Sequence, residues 1–280
     1  MPVPDQPTAS TPGSPTPPEG SVPRSTSTAA TDAAQACAAT VIQWQGYQRP
    51  SEDGSIVTDS ISTTSAPIDP PSGAGSPVLR FELGPDEKFD SSGYIASRAE
   101  VYGRQAVPAS TTPADEWPDP AGSTRWYQFD VFLPEDFPTA TDTSWLVLAQ
   151  WKGLHGGSPP IAIEVNRDRL RLGGARANQG LVPNGGDLGT IDRGAWTRLQ
   201  VGLTFSTTSA TGGVEVWRDG VPVLDRLPLA TLDLVDGITD PVYLKIGLYR
   251  DPNWETTHVA YFSPVLVTSG ARNSLCVDEP

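Results

Sequence analysis

Tyr243, Lys245, Gly247 and Tyr249 alternate along the stretch YLKIGLYR, so a strand there would turn all four to one face. That face would hold two phenols, an ammonium and a position without a side chain, where a ligand could approach the backbone closely. Two other stretches offer partners. Arg98, Glu100 and Tyr102 alternate in YIASRAEVY, and an arginine held by a neighbouring glutamate presents a rigid fork to a carboxylate. Gln150 and Lys152 share a face at the end of WLVLAQWK, and His155 follows in a glycine-rich loop from which an imidazole could reach a cleft. Lys152, Glu100, Tyr243, Arg250 and Arg171 form a second set, candidates for contacting a ligand. Each feature also has a plainer reading: an amphipathic strand with an aromatic pair, a structural Arg–Glu ion pair, a surface glutamine, an inert loop histidine, scattered solubility charges. His258, in the closing strand, reads as structural.

Other chemistries find less support. No close pair of acids shares a strand face as in retaining sandwich glycosidases, since Glu164 and Asp168 are separated along a turn. With two histidines in all, no Ser–His–Asp order emerges. Neither a glycine-rich phosphate loop nor a metal-binding helix is present. No cofactor or catalytic metal is expected; a structural calcium ion is compatible with the reading.

The elements that must position these residues are strands. Ala39–Gly46, Val78–Leu83, Tyr94–Tyr102, Arg125–Leu133, Trp145–Lys152, Ile161–Val165, Arg169–Leu172, Thr197–Phe205 and Val214–Trp217 alternate or run apolar, and Ile56–Ser62 does so weakly. Asp219-Gly220 is a two-residue turn leading into Val221–Leu224. Tyr243–Arg250 and Val259–Thr268 complete the set. Helical spacing is nearly absent, so the fold class is all-β: an antiparallel two-sheet β-sandwich.

Of the 280 residues, 1–36 are rich in Pro, Ser and Thr and nearly devoid of large apolar side chains. Such a segment cannot offset its ordering entropy and reads as a disordered linker, leaving 37–280 as the folded domain. The net charge of −14 disfavours general binding to nucleic acid or membrane surfaces, and no apolar run is long enough to span a membrane. A monomer is expected. Cys37 and Cys276 stand at the two ends of the domain; a bond between them would contribute at most roughly 5 kcal/mol in the chain-entropy model. A disulfide would imply a secreted protein, although no basic start and apolar run follow Met1, so an export signal would lie outside this numbering.

The segments RWYQFDVFLPEDF, WLVLAQWKG, PPIAIEV, RGAWTRLQVGL, VEVWRDGVPV and YLKIGLYRDPN resemble, in order and spacing, the jelly-roll polysaccharide lyases. From Arg125 to about Ser269 the chain looks like the domain shared by glucuronan lyases (polysaccharide lyase family 20) and the heparin-lyase-I group. YLKIGLYR and RAE also resemble the Tyr-x-Lys-x-Gly-x-Tyr and Arg-x-Glu strands of alginate lyases. The resemblance implies a concanavalin-like jelly roll and β-elimination on an acidic, uronic-acid polysaccharide. By position it makes Tyr249 the base, the acid or both, with Gln150 and Arg98 on the sugar carboxylate and Lys245 beside Tyr249. It departs at Lys152, where heparin- and alginate-type members carry His, at Tyr102 (a second Arg there) and at Asp251 (Gln there). These departures and the acidic balance make a glucuronate-type polymer the first expectation. A non-catalytic carbohydrate-binding domain is the alternative, and a sandwich hydrolase a distant third.

The chemistry sets its own demand. Removing a proton next to an ionised carboxylate accumulates negative charge that cations or amides must cover. A phenol with an ordinary pKa of about 10 needs a drop of two to three units, roughly 3–4 kcal/mol, to act as a base near neutrality. One cation about 4 Å away at an effective dielectric of about 20 can supply that, and Lys245, on the same face as Tyr249, is expected to be it.

Overall fold

The computed structural model describes residues 39–48, 60–71, 76–91, 94–104, 121–139, 144–155, 157–269 and 271–275. The expected linker, Cys37, Cys276 and the start of the weak Ile56–Ser62 strand lie outside the described residues.

Strands account for nearly all regular structure. In chain order they are β1 (Thr40–Val41), β2 (Gln43–Gln48), β3 (Ile61–Thr64), β4 (Val78–Leu83), β5 (Phe89–Ser91), β6 (Tyr94–Arg104) and β7 (Thr124–Leu133). Next come β8 (Leu146–Gly153), β9 (Ile161–Asn166), β10 (Arg169–Gly173), β11 (Asp187–Thr190), β12 (Ala195–Thr204) and β13 (Gly213–Arg218). The last are β14 (Val221–Pro228), β15 (Asp233–Val235), β16 (Ile238–Asp240), β17 (Val242–Arg250), β18 (His258–Phe262) and β19 (Leu266–Ser269). A single helical turn, α1 (Ala175–Asn178), follows β10. The expected closing strand Val259–Thr268 is two strands, because Pro264 cannot donate to a ladder and the chain breaks between β18 and β19.

Two antiparallel sheets form the sandwich. One runs β14-β13-β12-β7-β18-β4-β3, with β19 joining β7 to β1; the other runs β11-β10-β9-β8-β17-β6-β2. Their inner faces meet in an aromatic core, where Tyr127 of the first sheet packs edge-on against Trp151 of the second at 5.3 Å. Phe81 and Phe129 pack on Phe262 beside them. The tight turns expected between neighbouring strands are present: Asp219 and Gly220 both take positive φ, 50° and 80°, as a two-residue hairpin with the right twist demands.

β17 is central in the second sheet, paired to β8 on one side and β6 on the other. Its inward residues Leu244, Ile246 and Leu248 are buried as alternation requires. Gly247 plays a different part from the one its small size suggests. Its φ is +137°, and a Cβ there would stand 2.2 Å from the Ala99 carbonyl oxygen and 2.9 Å from the Glu100 Cα. The missing side chain admits the neighbouring strand β6, where a ligand-facing gap was expected. The pairing with β8 slips at the same point, between Ile246 and Tyr249, an irregularity that re-aims the residues beyond it. Gly247→Ala should therefore cost on the order of 3 kcal/mol, read as a lower denaturation midpoint in urea.

Candidate active site

Three strands bring the singled-out side chains together. Tyr249 pairs with Arg98 and Gly247 with Glu100 across β17 and β6; Lys245 pairs with Gln150 and Tyr243 with Lys152 across β17 and β8. At the centre lies the Glu100 carboxylate, 2% exposed. Its Oε1 accepts a hydrogen bond from Gln150 Nε2. Its Oε2 faces two cations, Arg98 Nε at 3.1 Å and Lys245 Nζ at 3.5 Å. One acid thus fixes an amide, a guanidinium and an ammonium from three strands.

Depth separates their roles. Lys245 is as buried as Glu100, whereas the Arg98 side chain is 19% exposed. Burial pushes the Lys245 ammonium down to about 8; Glu100 opposes the shift, and Arg98 and Lys152 add to it. Lys152 is also lowered, by burial first, with Asp240 opposing. Its ammonium donates to the Gly153 carbonyl at 3.2 Å.

Above this network opens a cleft of about 710 Å³, a size suited to sugar units. Arg98, Gln150, Lys152 and Tyr249 line one flank. The Tyr249 ring is clamped between Trp145, edge-on at 4.7 Å, and the Arg98 guanidinium, 4.3 Å from its centroid. Arg98 is therefore a cation directly against Tyr249, a place expected for Lys245 alone. Trp145 was not foreseen as a site residue, because it precedes its strand and its ring reaches Tyr249 only through the fold.

Several expectations need correction. Glu100 was expected to touch substrate, but its carboxylate lies beneath the cleft, hydrogen-bonded to Gln150 and ion-paired with Arg98 and Lys245; it positions them. Arg250 was expected to bind substrate too. It lies on the other face of β17, fully buried, donating to the Gly84 and Thr256 carbonyls and facing His258 Nδ1. Tyr243 stays half-buried beside Tyr102 and Lys245 and does not border this cleft. Its phenol is raised, chiefly by burial.

His155 is also off the cleft wall. Its ring is 59% exposed and its Nδ1 sits 2.7 Å from Asp240 Oδ1, the same oxygen that accepts the Leu154 and His155 amides. The adjoining residues Gly157, Ser158 and Pro159 do form the rim. Arg171 borders the cleft from its far side, where its Nε donates to the Gly185 carbonyl at 2.6 Å. Among the described residues no group of three or more His, Cys, Asp or Glu side chains could hold a metal ion.

His258 is structural, as read. It is fully buried between Phe137 and Trp254, and burial first, then Arg250, pushes its pKa down to about 3. Its unfolded value is near 6.5, so between these limits the unfolded chain binds the extra proton and stability falls as pH drops from about 6.5 to 3. His258→Asn keeps an acceptor for Arg250 but has no proton to take, and should flatten that acid limb in a series of thermal melts.

A family model described as polysaccharide lyase matches residues 39–265, which include the whole cleft and its supporting strands. The chain belongs to the polysaccharide lyase family. The lyase superposes on an endo-β-1,4-glucuronan lyase from the fungus Trichoderma reesei with a TM-score of 0.55 at 18% identity, covering 85% of this chain and 95% of that one. It superposes on alginate lyase A1-II′ of polysaccharide lyase family 7 with a TM-score of 0.53 at 13% identity, covering 80% and 93%. A substrate-bound variant of that enzyme gives 0.52 at 13% identity, covering 80% and 91%. No curated protein matches the lyase in sequence. The likeness to jelly-roll lyases read from the strand motifs is borne out, and so is the sandwich.

Proposed function

We propose that this lyase cleaves a uronic-acid polysaccharide, of the glucuronan type first, by β-elimination. The observation that carries the reading is the Glu100 cluster: Arg98, Gln150 and Lys245 gathered on one buried carboxylate under the cleft flank where Tyr249 stands. Arg98 and Gln150, held from below, turn their remaining N–H groups to the sugar carboxylate. With Lys152, they cover the charge that builds as the adjacent C–H proton leaves. Tyr249, as phenolate, takes that proton. The electron pair forms the new carbon–carbon double bond, the bond to the leaving sugar oxygen breaks, and the phenol returns its proton to that oxygen.

The protein acts as an exported monomer, with Cys37 bonded to Cys276 and the proline-rich segment as a stalk. Its chemistry uses the chain's own residues, without a cofactor. Support comes from the family membership, the glucuronan and alginate lyases that share the fold, and the cationic flank. The test is incubation with glucuronan, alginate, hyaluronan and heparin while following the ultraviolet absorbance of the unsaturated product. Growth on a uronate polymer is the expected result. Binding without new absorbance would instead mark a carbohydrate-binding domain, and new reducing ends without absorbance a hydrolase.

A further inference from the structure

Glu164 borders the cleft and takes no part in the proposed chemistry. Glu164, on β9, sits across the sheet from the reacting flank in one continuous row of pairs: Arg98 with Tyr249, Tyr249 with Val147, Val147 with Glu164 and Glu164 with Arg171. Two strand spacings, about 10 Å, separate Glu164 from Tyr249 along this row. A polymer lying across the strands would therefore meet Glu164 with a unit other than the one being cleaved.

The carboxyl is built into the wall. Gly173 leaves room for it, since a Cβ at that position would come within 2.0 Å of the Glu164 carboxyl carbon. Gly174, held at φ +87° against the Pro159 carbonyl, donates its N–H to Glu164 Oε1 at 2.9 Å. Among the described residues no donor is hydrogen-bonded to the other oxygen, Oε2, although the side chain borders the cleft beside Asn166 and Asn178. Burial raises the acid, while the Gly174 N–H and the nearby Arg171 charge oppose the shift.

We propose that Glu164 sets specificity at a sugar site away from the reacting one: its carboxyl accepts hydrogen bonds from the hydroxyl edge of that unit and disfavours a carboxylate turned toward it. The cleft thus reads charge in order along the polymer, a uronate carboxylate at the Arg98 flank and a hydroxyl edge, its own carboxylate turned away, at the Glu164 flank. A carboxylate pressed against a partly buried acid is a like-charge contact, the repulsive element from which selectivity is made. This inference rests on the uronate-lyase reading for its kinetic arm.

Wild type, Glu164→Gln and Glu164→Lys are compared on glucuronan and on glucuronan with part of its carboxyl groups reduced to primary alcohols. The KM ratio of reduced to native polymer should rise about fivefold or more in Glu164→Lys, with Glu164→Gln between it and wild type and kcat changed less than about twofold. The same ratio is measured as Kd by affinity electrophoresis in a Tyr249→Phe background, which needs no turnover. Equal ratios in all three proteins would overturn the proposal, as would a fall confined to kcat. If wild type produces no unsaturated product from any uronate polymer, the lyase reading fails while the Kd ratios still decide the role of Glu164. Glu164→Gln, which keeps the size and can still accept from Gly174, guards against a variant that merely fails to fold.

Discussion

Tyr249→Phe should lower kcat by about a thousandfold or more while leaving the affinity for the polymer within a few-fold of wild type. The ring would stay clamped between Trp145 and Arg98, so packing and the shape of the cleft are preserved and only the oxygen is lost. In the proposed mechanism that oxygen moves the proton both from carbon and to the leaving oxygen. The measurement is the initial rate of ultraviolet absorbance, with affinity electrophoresis as the binding control. A variant that turns over normally would remove Tyr249 from the mechanism. One that loses binding and rate together would make it a sugar platform.

Glu100→Gln should be costly in two ways. It leaves Lys245 buried without its counter-charge, the kind of broken pair that destabilises by about 3–5 kcal/mol. It also frees Arg98 and Gln150 from the anchor that orients them, so kcat should drop by about a hundredfold. The pH dependence separates this account from a simple packing defect. Glu100 holds the Lys245 pKa up; without it the ammonium gives up its proton below 8 in the folded state, while the unfolded chain keeps it to about 10.4. From the variant's lowered pKa upward, the unfolded variant binds the extra proton and the variant gains stability with rising pH, while wild type begins to gain only near 8. The stability deficit should be greatest near pH 6 and shrink toward pH 8. A deficit constant over that range would refute the electrostatic origin.

The sandwich was legible because alternation with period two dominates the chain: Leu244, Ile246 and Leu248 against Tyr243, Lys245 and Tyr249 suffice to orient β17. The same rule grouped Arg98 with Glu100 and Gln150 with Lys152, and strand pairing did the rest. Two things escaped it. Period two says which side of a strand a residue takes, but not how deep it lies, so Glu100 looked like a ligand contact and Lys245 like the cation beside Tyr249, though both are sealed under the floor. Arg250 falls on the inward side by the same alternation, yet its charge argued for a ligand. The structure resolves that conflict by giving the guanidinium two backbone carbonyls and a neutral imidazole in the interior. Glu164 and Trp145 were missed because their relation to Tyr249 runs across strands and through a loop, separations that no local spacing reveals.

The arrangement around Glu100 has a consequence for how such a protein can change. The groups that handle charge are moored from beneath, to a side chain in the sheet itself, while the rim is carried by separate turns such as Gly157–Pro159. Remodelling the rim would alter which polymers enter without retuning the reactive chemistry. Grafted turns from other lyases should therefore transfer substrate preference more readily than any exchange of strands.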